Sequence, residues 1–173
     1  MRNPTPGKNP FELGSYIDRF PLVFQWLYID LNRDFFKLKG RTGVSRFWAM
    51  YIFSFIFLGI VYWICEKLAT TVIVYFSLLL IGWLYVAIPC VSIGVRRLHD
   101  MGKSGFLSVF PQFGTFFMTI CVAFQEIPAL PITLAVVAMS VIPLIFMSLP
   151  GEKKANKYGN PCNDSMDVLK EFN

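Results

Sequence analysis

Residues 68–95 read LATTVIVYFSLLLIGWLYVAIPCVSIGV, a stretch of 28 residues with no charged side chain. Crossing a hydrocarbon core takes roughly 20 apolar residues, and one helix of this length would reach about 42 Å at roughly 1.5 Å per residue. The stretch predicts a membrane-crossing helix that tilts, bends or extends past the lipid. Pro89 supplies a cause for a bend, because it removes an amide donor and crowds the preceding turn. Working outward, three further apolar runs cover residues 47–65, 106–124 and 127–149. The last two contain Pro111, Gly114, Pro128, Pro131 and Pro143. These read either as tolerated helix kinks or as broken helices that build a transport site.

Composition agrees with a lipid-embedded chain. The 173 residues are 55% hydrophobic, 17% aromatic and 16% charged, against roughly 45–50% apolar and about 25% charged in soluble domains. A soluble protein of this size could not hide so much apolar surface, and intrinsic disorder is excluded by the same numbers. The length suits a single unit, placed at residues 20–161. The fold class expected is an all-α integral membrane protein with four transmembrane helices, an N-terminal interfacial amphipathic helix and both termini cytoplasmic.

That orientation comes from the charges. The formal net charge is +5, which alone would suit nucleic acid, but the basic residues fall in alternate loops. Residues 1–46, the turn at 96–105 and the segment from Pro150 onward carry every Lys and Arg except Lys67. This is the asymmetry of a positive-inside membrane protein, so nucleic acid is not expected as a partner. Residues 1–19 lack the central apolar stretch of a signal peptide and are rich in Pro and Gly. They read as a mobile lead-in, with the first span as the insertion signal. Residues 162–173 read as a polar tail, either a short surface helix or disordered.

Between lead-in and first span, Phe20, Phe24, Leu27, Tyr28, Leu31 and Phe35 recur at steps of three and four. They predict a helix over 20–37 with one aromatic face, and Asp30, Arg33, Asp34 and Lys37 gathered on the other side. Such a helix suits the membrane interface, or packs onto the protein's own bundle; the two are compatible.

The densest polar cluster lies between the second and third runs: Arg96, Arg97, Leu98, His99, Asp100, Met101, Gly102, Lys103 and Ser104. A helix continuing through it would pair Arg96 with Asp100 and put Arg96 and His99 on one face. Gly102 would end that helix and Ser104 would cap the next. Cations at a helix C-terminus are stabilising with no ligand at all. The functional alternative is that two guanidiniums, an imidazole and Lys103 bind a phosphate or lipid headgroup. Gly102-Lys103-Ser104 imitates the end of a phosphate-binding loop, but Arg97 stands where that motif needs glycine and no strand precedes it. His99 has no nucleophile or second metal ligand near it in sequence, so no catalytic residue, metal or cofactor is expected. The four cysteines lack Cys-x-x-Cys spacing and read as small hydrophobes. Cys65 and Cys121 fall toward the same outer face, where a disulfide is conceivable.

Phe35 or Phe36 with Gly40-Arg41, then Phe47-Trp48, then Arg96-Arg97-Leu98-His99-Asp100 with Gly102-Lys103-Ser104-Gly105, and finally Asn156-Lys157-Tyr158-Gly159 with Pro161, form a recurring pattern. It resembles domain-of-unknown-function family 805, small bacterial inner-membrane proteins, over roughly residues 24–161. The resemblance implies a helical bundle in the bacterial inner membrane and no established activity. Val44 and Arg46 stand where that family shows a basic and an acidic residue. Arg41, the 96–103 turn and the 156–161 segment all fall on the expected cytoplasmic side and are expected to meet there. The expected binding residues for an anion or lipid headgroup are Arg41, Arg96, Arg97, His99, Asp100, Lys103, Ser104, Asn156 and Tyr158. Expected partners are membrane lipids, anionic ones included, and a second copy or another membrane protein. A small-solute or ion transporter is the competing class.

Overall fold

The computed structural model describes residues 21–124 and 129–162. The expected lead-in at 1–19, Phe20, and all of the tail beyond Cys162 lie outside the described residues. Helix α1 spans Leu22–Tyr28 and runs on as a wide π turn over Ile29–Arg33. Then come α2 (Val44–Leu68), α3 (Val72–Asp100), a 3-10 turn (Gly105–Val109), α4 (Phe110–Ala123) and α5 (Leu130–Met147). Among the described residues no strand forms.

Three helices, α2, α3 and α5, are long and apolar enough to cross a membrane, while the apolar stretch Gly105–Cys121 is shorter. Half of the most apolar window of α3 is buried, against 22% for α2 and 17% for α5, which makes α3 the central rod. The outer faces of α2 and α5 carry Ile56, Ile60, Trp63, Leu134, Ile142 and Ile145, each at least half exposed. In water such surfaces would aggregate; in hydrocarbon they are solvated. The molecule is built as an all-helical membrane protein.

The ends of the helices differ from expectation for identifiable reasons. Glu66 and Lys67 were expected in the gap after the first run, yet α2 continues through both and the connection shifts to Ala69–Thr71. The Glu66 carboxylate accepts from the Tyr75 hydroxyl across that turn at 2.9 Å, and the Thr71 hydroxyl accepts from Val74 N–H at 3.3 Å as the cap of α3. At its other end α3 runs on through Arg96–Asp100 instead of stopping at 95. Pro89 and Pro143 sit inside continuous helices, and Pro131 occupies the first turn of α5, where its missing N–H costs little. All four cysteines are free thiols, so Cys65 and Cys121 do not pair.

Helices α2 and α3 form one hairpin and α4 and α5 another. The two hairpins are joined by Gln112 Nε2 donating to the Tyr51 hydroxyl at 3.1 Å, Trp83 Nε1 to Thr115 Oγ1 at 3.3 Å, and Trp48 Nε1 to Ser148 Oγ at 3.2 Å. Side-chain bonds of this kind hold helices together where lipid removes the hydrophobic drive. Deeper in the apolar zone the hairpins part around a cleft of about 440 Å³ bordered by Tyr51, Leu79, Thr115, Met118, Val136 and Ser140. The tightest packing, Phe47, Met50, Cys90, Ile93, Leu98 and Met147, gathers where α2 begins and α3 and α5 end. Close approach is built in at Gly94, where a Cβ would come within 2.8 Å of Ser108 Cβ.

Candidate functional site

The densely packed end of the bundle is capped by two buried ionic clusters. In the first, Asp30 of α1 and Asp34, the residue that ends it, meet Arg46 of α2 and Arg96 of α3. Arg46 reaches Asp30 through Nε at 3.0 Å and Nη2 at 2.8 Å. Arg96 Nη2 donates to Asp30 Oδ1 at 2.7 Å, and both arginines lie 3.4 Å from Asp34 Oδ2. All four side chains are at most 7% exposed. A buried charge is tolerated when it is both paired and hydrogen-bonded, and this arrangement supplies both.

Asp30 and Asp34, expected on the side away from the aromatic face, turn inward to these arginines; of that face, Leu27 and Leu31 pack against the core while Phe24 and Tyr28 stand exposed. Inside, α1 packs through Trp26 and Ile29. The reason is electrostatic: Arg46 and Arg96 are buried, and among the described residues Asp30 and Asp34 bring carboxylates to them.

In the second cluster Asp100 takes Arg41 Nε at 2.8 Å on Oδ1 and Arg97 Nη1 on Oδ2. The expected partner was Arg96, four residues back; Arg97, three back, takes that place and frees Arg96 for α1. Arg97 also donates to the carbonyls of Met147 at 2.8 Å, Thr42 at 3.4 Å and Leu149. Met147 and Leu149 lie at the C-terminal end of α5, where unpaired carbonyls concentrate negative charge. Arg41 donates to the carbonyls of Lys154 at 2.9 Å, Gly159 at 3.2 Å, Asp100 at 3.2 Å and Glu152. A guanidinium with five donors fixed in a plane suits such a ring of acceptors.

The remaining expected residues complete a clasp. Gly102, at φ +69°, turns the chain out of α3 as expected. Ser104 precedes the 3-10 turn but its hydroxyl caps nothing, which corrects the capping role expected of it. The His99 and Tyr158 rings stack at 3.8 Å and 7°, Lys157 lies over the Tyr158 ring, and Asn156 Nδ2 donates to the His99 carbonyl at 3.0 Å. Asn156 and Gly159 close the turn that carries Tyr158 through two 3.0 Å backbone bonds.

The structure therefore brings Arg41, Arg97, His99, Asp100, Asn156 and Tyr158 together, and directs Arg96 to a different cluster. The donors of Arg41, Arg96 and Arg97 point at protein acceptors. Lys103 and Ser104 are exposed. Sequence reasoning missed Asp30, Asp34 and Arg46 as partners. The available signal was Arg46 itself, a base where the resembled family shows an acid, paired with two acids four apart on α1. With that acid absent from α2, α1 supplies the counter-charge. Among the described residues no group of His, Cys, Asp and Glu could hold a metal ion.

At the surface of this end the balance is one-sided. Lys39, Lys103, Lys153, Lys154 and Lys157 are exposed, and among the described residues there Glu152 is the one exposed acid. No curated protein and no solved structure matches the chain. A family model does match, over residues 35–160, and the chain belongs to the family it describes, Protein of unknown function (DUF805).

Proposed function

We propose that this chain is a binding module of the bacterial inner membrane, crossing the bilayer four times with both termini cytoplasmic and its capped end held against anionic lipid headgroups. The observation that carries the reading is the division of charge. Described acids at this end, apart from Glu152, are consumed inside by Arg41, Arg46, Arg96 and Arg97, so the outward charge is a collar of lysines. Phe24, Tyr28, Phe36 and Leu38 stand exposed beside that collar, the aromatic and basic mixture that suits a membrane interface. The ionic clusters act as scaffold, fixing α1 and the 150–161 segment so that the collar is presented as one surface. The transport reading has less support, because the cleft between the hairpins is bordered by no Asp, Glu, Lys, Arg or His that could accompany an ion.

A lysine near an anionic surface is worth about 1 kcal/mol. Reversing Lys103, Lys153, Lys154 and Lys157 to Glu is thus expected to weaken retention of anionic lipid by roughly three orders of magnitude. The measurement is native mass spectrometry of the protein released from nanodiscs of mixed phosphatidylglycerol and phosphatidylcholine. Unchanged preference for phosphatidylglycerol in a stably folded quadruple variant would overturn the proposal. Co-release of a second copy or another protein in place of lipid would assign the collar to a protein partner.

A further inference from the structure

We infer that the capped end carries a phosphoryl-binding recess at the start of α2, where the first backbone N–H groups of that helix and the Trp26 indole donate to one phosphate. The recess, about 780 Å³, lies between α1, the start of α2 and the segment after α5, and is bordered by Leu22, Trp26, Gly43, Ser45, Pro150 and Lys153. The first N–H groups of a helix have no acceptor within it, and Gly43 brings no side chain to cap α2. A helix of 25 residues also gathers partial positive charge at that end.

A helix start alone is ordinary; what points to a ligand stands beside it. Among the described residues two buried side-chain polar atoms lack a hydrogen-bond partner, Trp26 Nε1 and Thr42 Oγ1. Both belong to this corner. Trp26 stands in the recess wall at 6% exposure, and Thr42, 1% exposed, is the residue before Gly43. An indole N–H buried without a partner costs free energy that a bound acceptor restores. Trp26 Nε1 can only donate, so the partner it lacks is an acceptor, as is the partner that the first N–H groups of α2 require. Phosphate oxygens meet both demands.

The acids nearby do not oppose an anion. Asp100, in the wall, has both oxygens taken, Oδ1 by Arg41 and Oδ2 by Arg97. Two guanidiniums thus share one buried carboxylate, and a unit of positive charge is left over. The Glu152 carboxylate accepts from Asn156 Nδ2 at 2.8 Å and lies against Gly102. Lys153, also in the wall, offsets it. A phosphate entering the recess meets donors from α1 and α2 and a net positive wall among the described residues.

The recess deepens the headgroup reading above, rests on it, and is tested apart from the lysine collar. Full-length protein in detergent is exposed to dioleoyl-phosphatidylglycerol, dioleoylglycerol, glycerophosphate or inorganic phosphate. Native mass spectrometry counts bound lipid, and phosphorus NMR line broadening reads the two soluble phosphates. Wild type is expected to hold one phosphatidylglycerol and to ignore dioleoylglycerol. Trp26→Phe removes the indole donor, and Ser45→Asp puts a carboxylate at the first turn of α2 where the phosphate binds; each is expected to lower occupancy by roughly tenfold or more. An acid suits the first turn of a helix, so Ser45→Asp is expected to keep or raise the melting temperature of the lipid-free protein, which keeps the test decisive if the smaller ring of Trp26→Phe loosens α1. Soluble phosphate bound with the same sensitivity to both variants supports the recess and identifies a soluble ester as its source; binding of the diacyl lipid alone supports it and identifies the headgroup. Full occupancy in either variant overturns the recess, as does dioleoylglycerol bound as tightly as phosphatidylglycerol, or no binding of any phosphate-bearing probe by wild type. The Lys103→Glu/Lys154→Glu/Lys157→Glu protein, which keeps Lys153, separates the two readings. If it alone loses lipid, the recess falls and the collar stands; if it keeps lipid while the Trp26 and Ser45 variants lose it, the collar falls and the recess stands.

Discussion

Asp30→Asn is the perturbation that weighs most directly on the capped end. The native carboxylate takes Arg96 on Oδ1 at 2.7 Å, and Arg46 on Oδ1 at 2.8 Å and on Oδ2 at 3.0 Å. Asparagine keeps the shape, removes the charge, and puts an amide donor where a guanidinium needs an acceptor. Asp30, Arg96 and Arg46 are 1%, 3% and 7% exposed, so water screens little of the change. Removing one partner from a buried pair costs about 3–5 kcal/mol, and two unit charges about 4 Å apart at an effective dielectric of roughly 20 interact by a similar amount. Asp34, 3.4 Å from both arginines, remains and sets the expectation at the lower end. About 3 kcal/mol corresponds to a change of roughly 150-fold in the folded ratio. Unfolding by sodium dodecyl sulfate in mixed micelles, followed by tryptophan fluorescence, reads the loss, and trypsin cleavage after Arg33, Lys37 or Lys39 reads the release of α1. Asp30→Asn combined with Arg96→Met leaves Arg46 with Asp34 and is expected to recover at least about 1 kcal/mol. A loss below about 0.5 kcal/mol, within the range of ordinary surface substitutions, together with unaltered cleavage, would refute the reasoning.

Gly102→Ala places a Cβ at φ +69°, against the Glu152 carboxylate, and is expected to cost about 1–2 kcal/mol, seen as a lower thermal midpoint in detergent; an unchanged midpoint would mean the turn does not need its left-handed residue. Tyr158→Ala removes the ring stacked on His99 at 3.8 Å and is expected to cost about 0.5–1.5 kcal/mol, with faster amide exchange over residues 150–161 and none over α2. Thr70→Cys and Lys153→Cys lie beyond opposite ends of the bundle, so an impermeant thiol reagent is expected to reach position 70 from outside intact cells and position 153 only after lysis; labelling of both from one side would break the four-crossing arrangement.

Much of the fold could be read locally. The run at 68–95 required a long membrane-crossing helix, and α3 is that helix, extended at one end because charged residues paired to neighbouring elements do not terminate it. The first and last runs became α2 and α5 with ends moved by a few residues. The third split into a 3-10 turn over Gly105–Val109 and the shorter α4, with Ser108 packed where a Cβ on Gly94 would stand. The candidate site was legible in part. Gly102 as the stop and the approach of Arg41, the 96–103 turn and Asn156–Pro161 followed from motif and topology, whereas the partners of Arg46 and Arg96 did not. The family match begins at residue 35, so Asp30 and Asp34, which neutralise those arginines, lie before it.

Hydropathy and charge placement depend on each residue and its solvent, and by themselves they determined that this chain is helical, lipid-embedded and basic at one end. Whether a given arginine faces lipid, water or a carboxylate depends on which helix faces abut, and that is settled only when residues 62 and 66 positions apart, as Arg96 is from Asp34 and Asp30, come within bonding distance. Tertiary packing thus decided that the guanidiniums hold the cap together and that lysines meet the outside. A buried charge must find its partner wherever in the chain that partner lies, and local sequence carries no record of such distances.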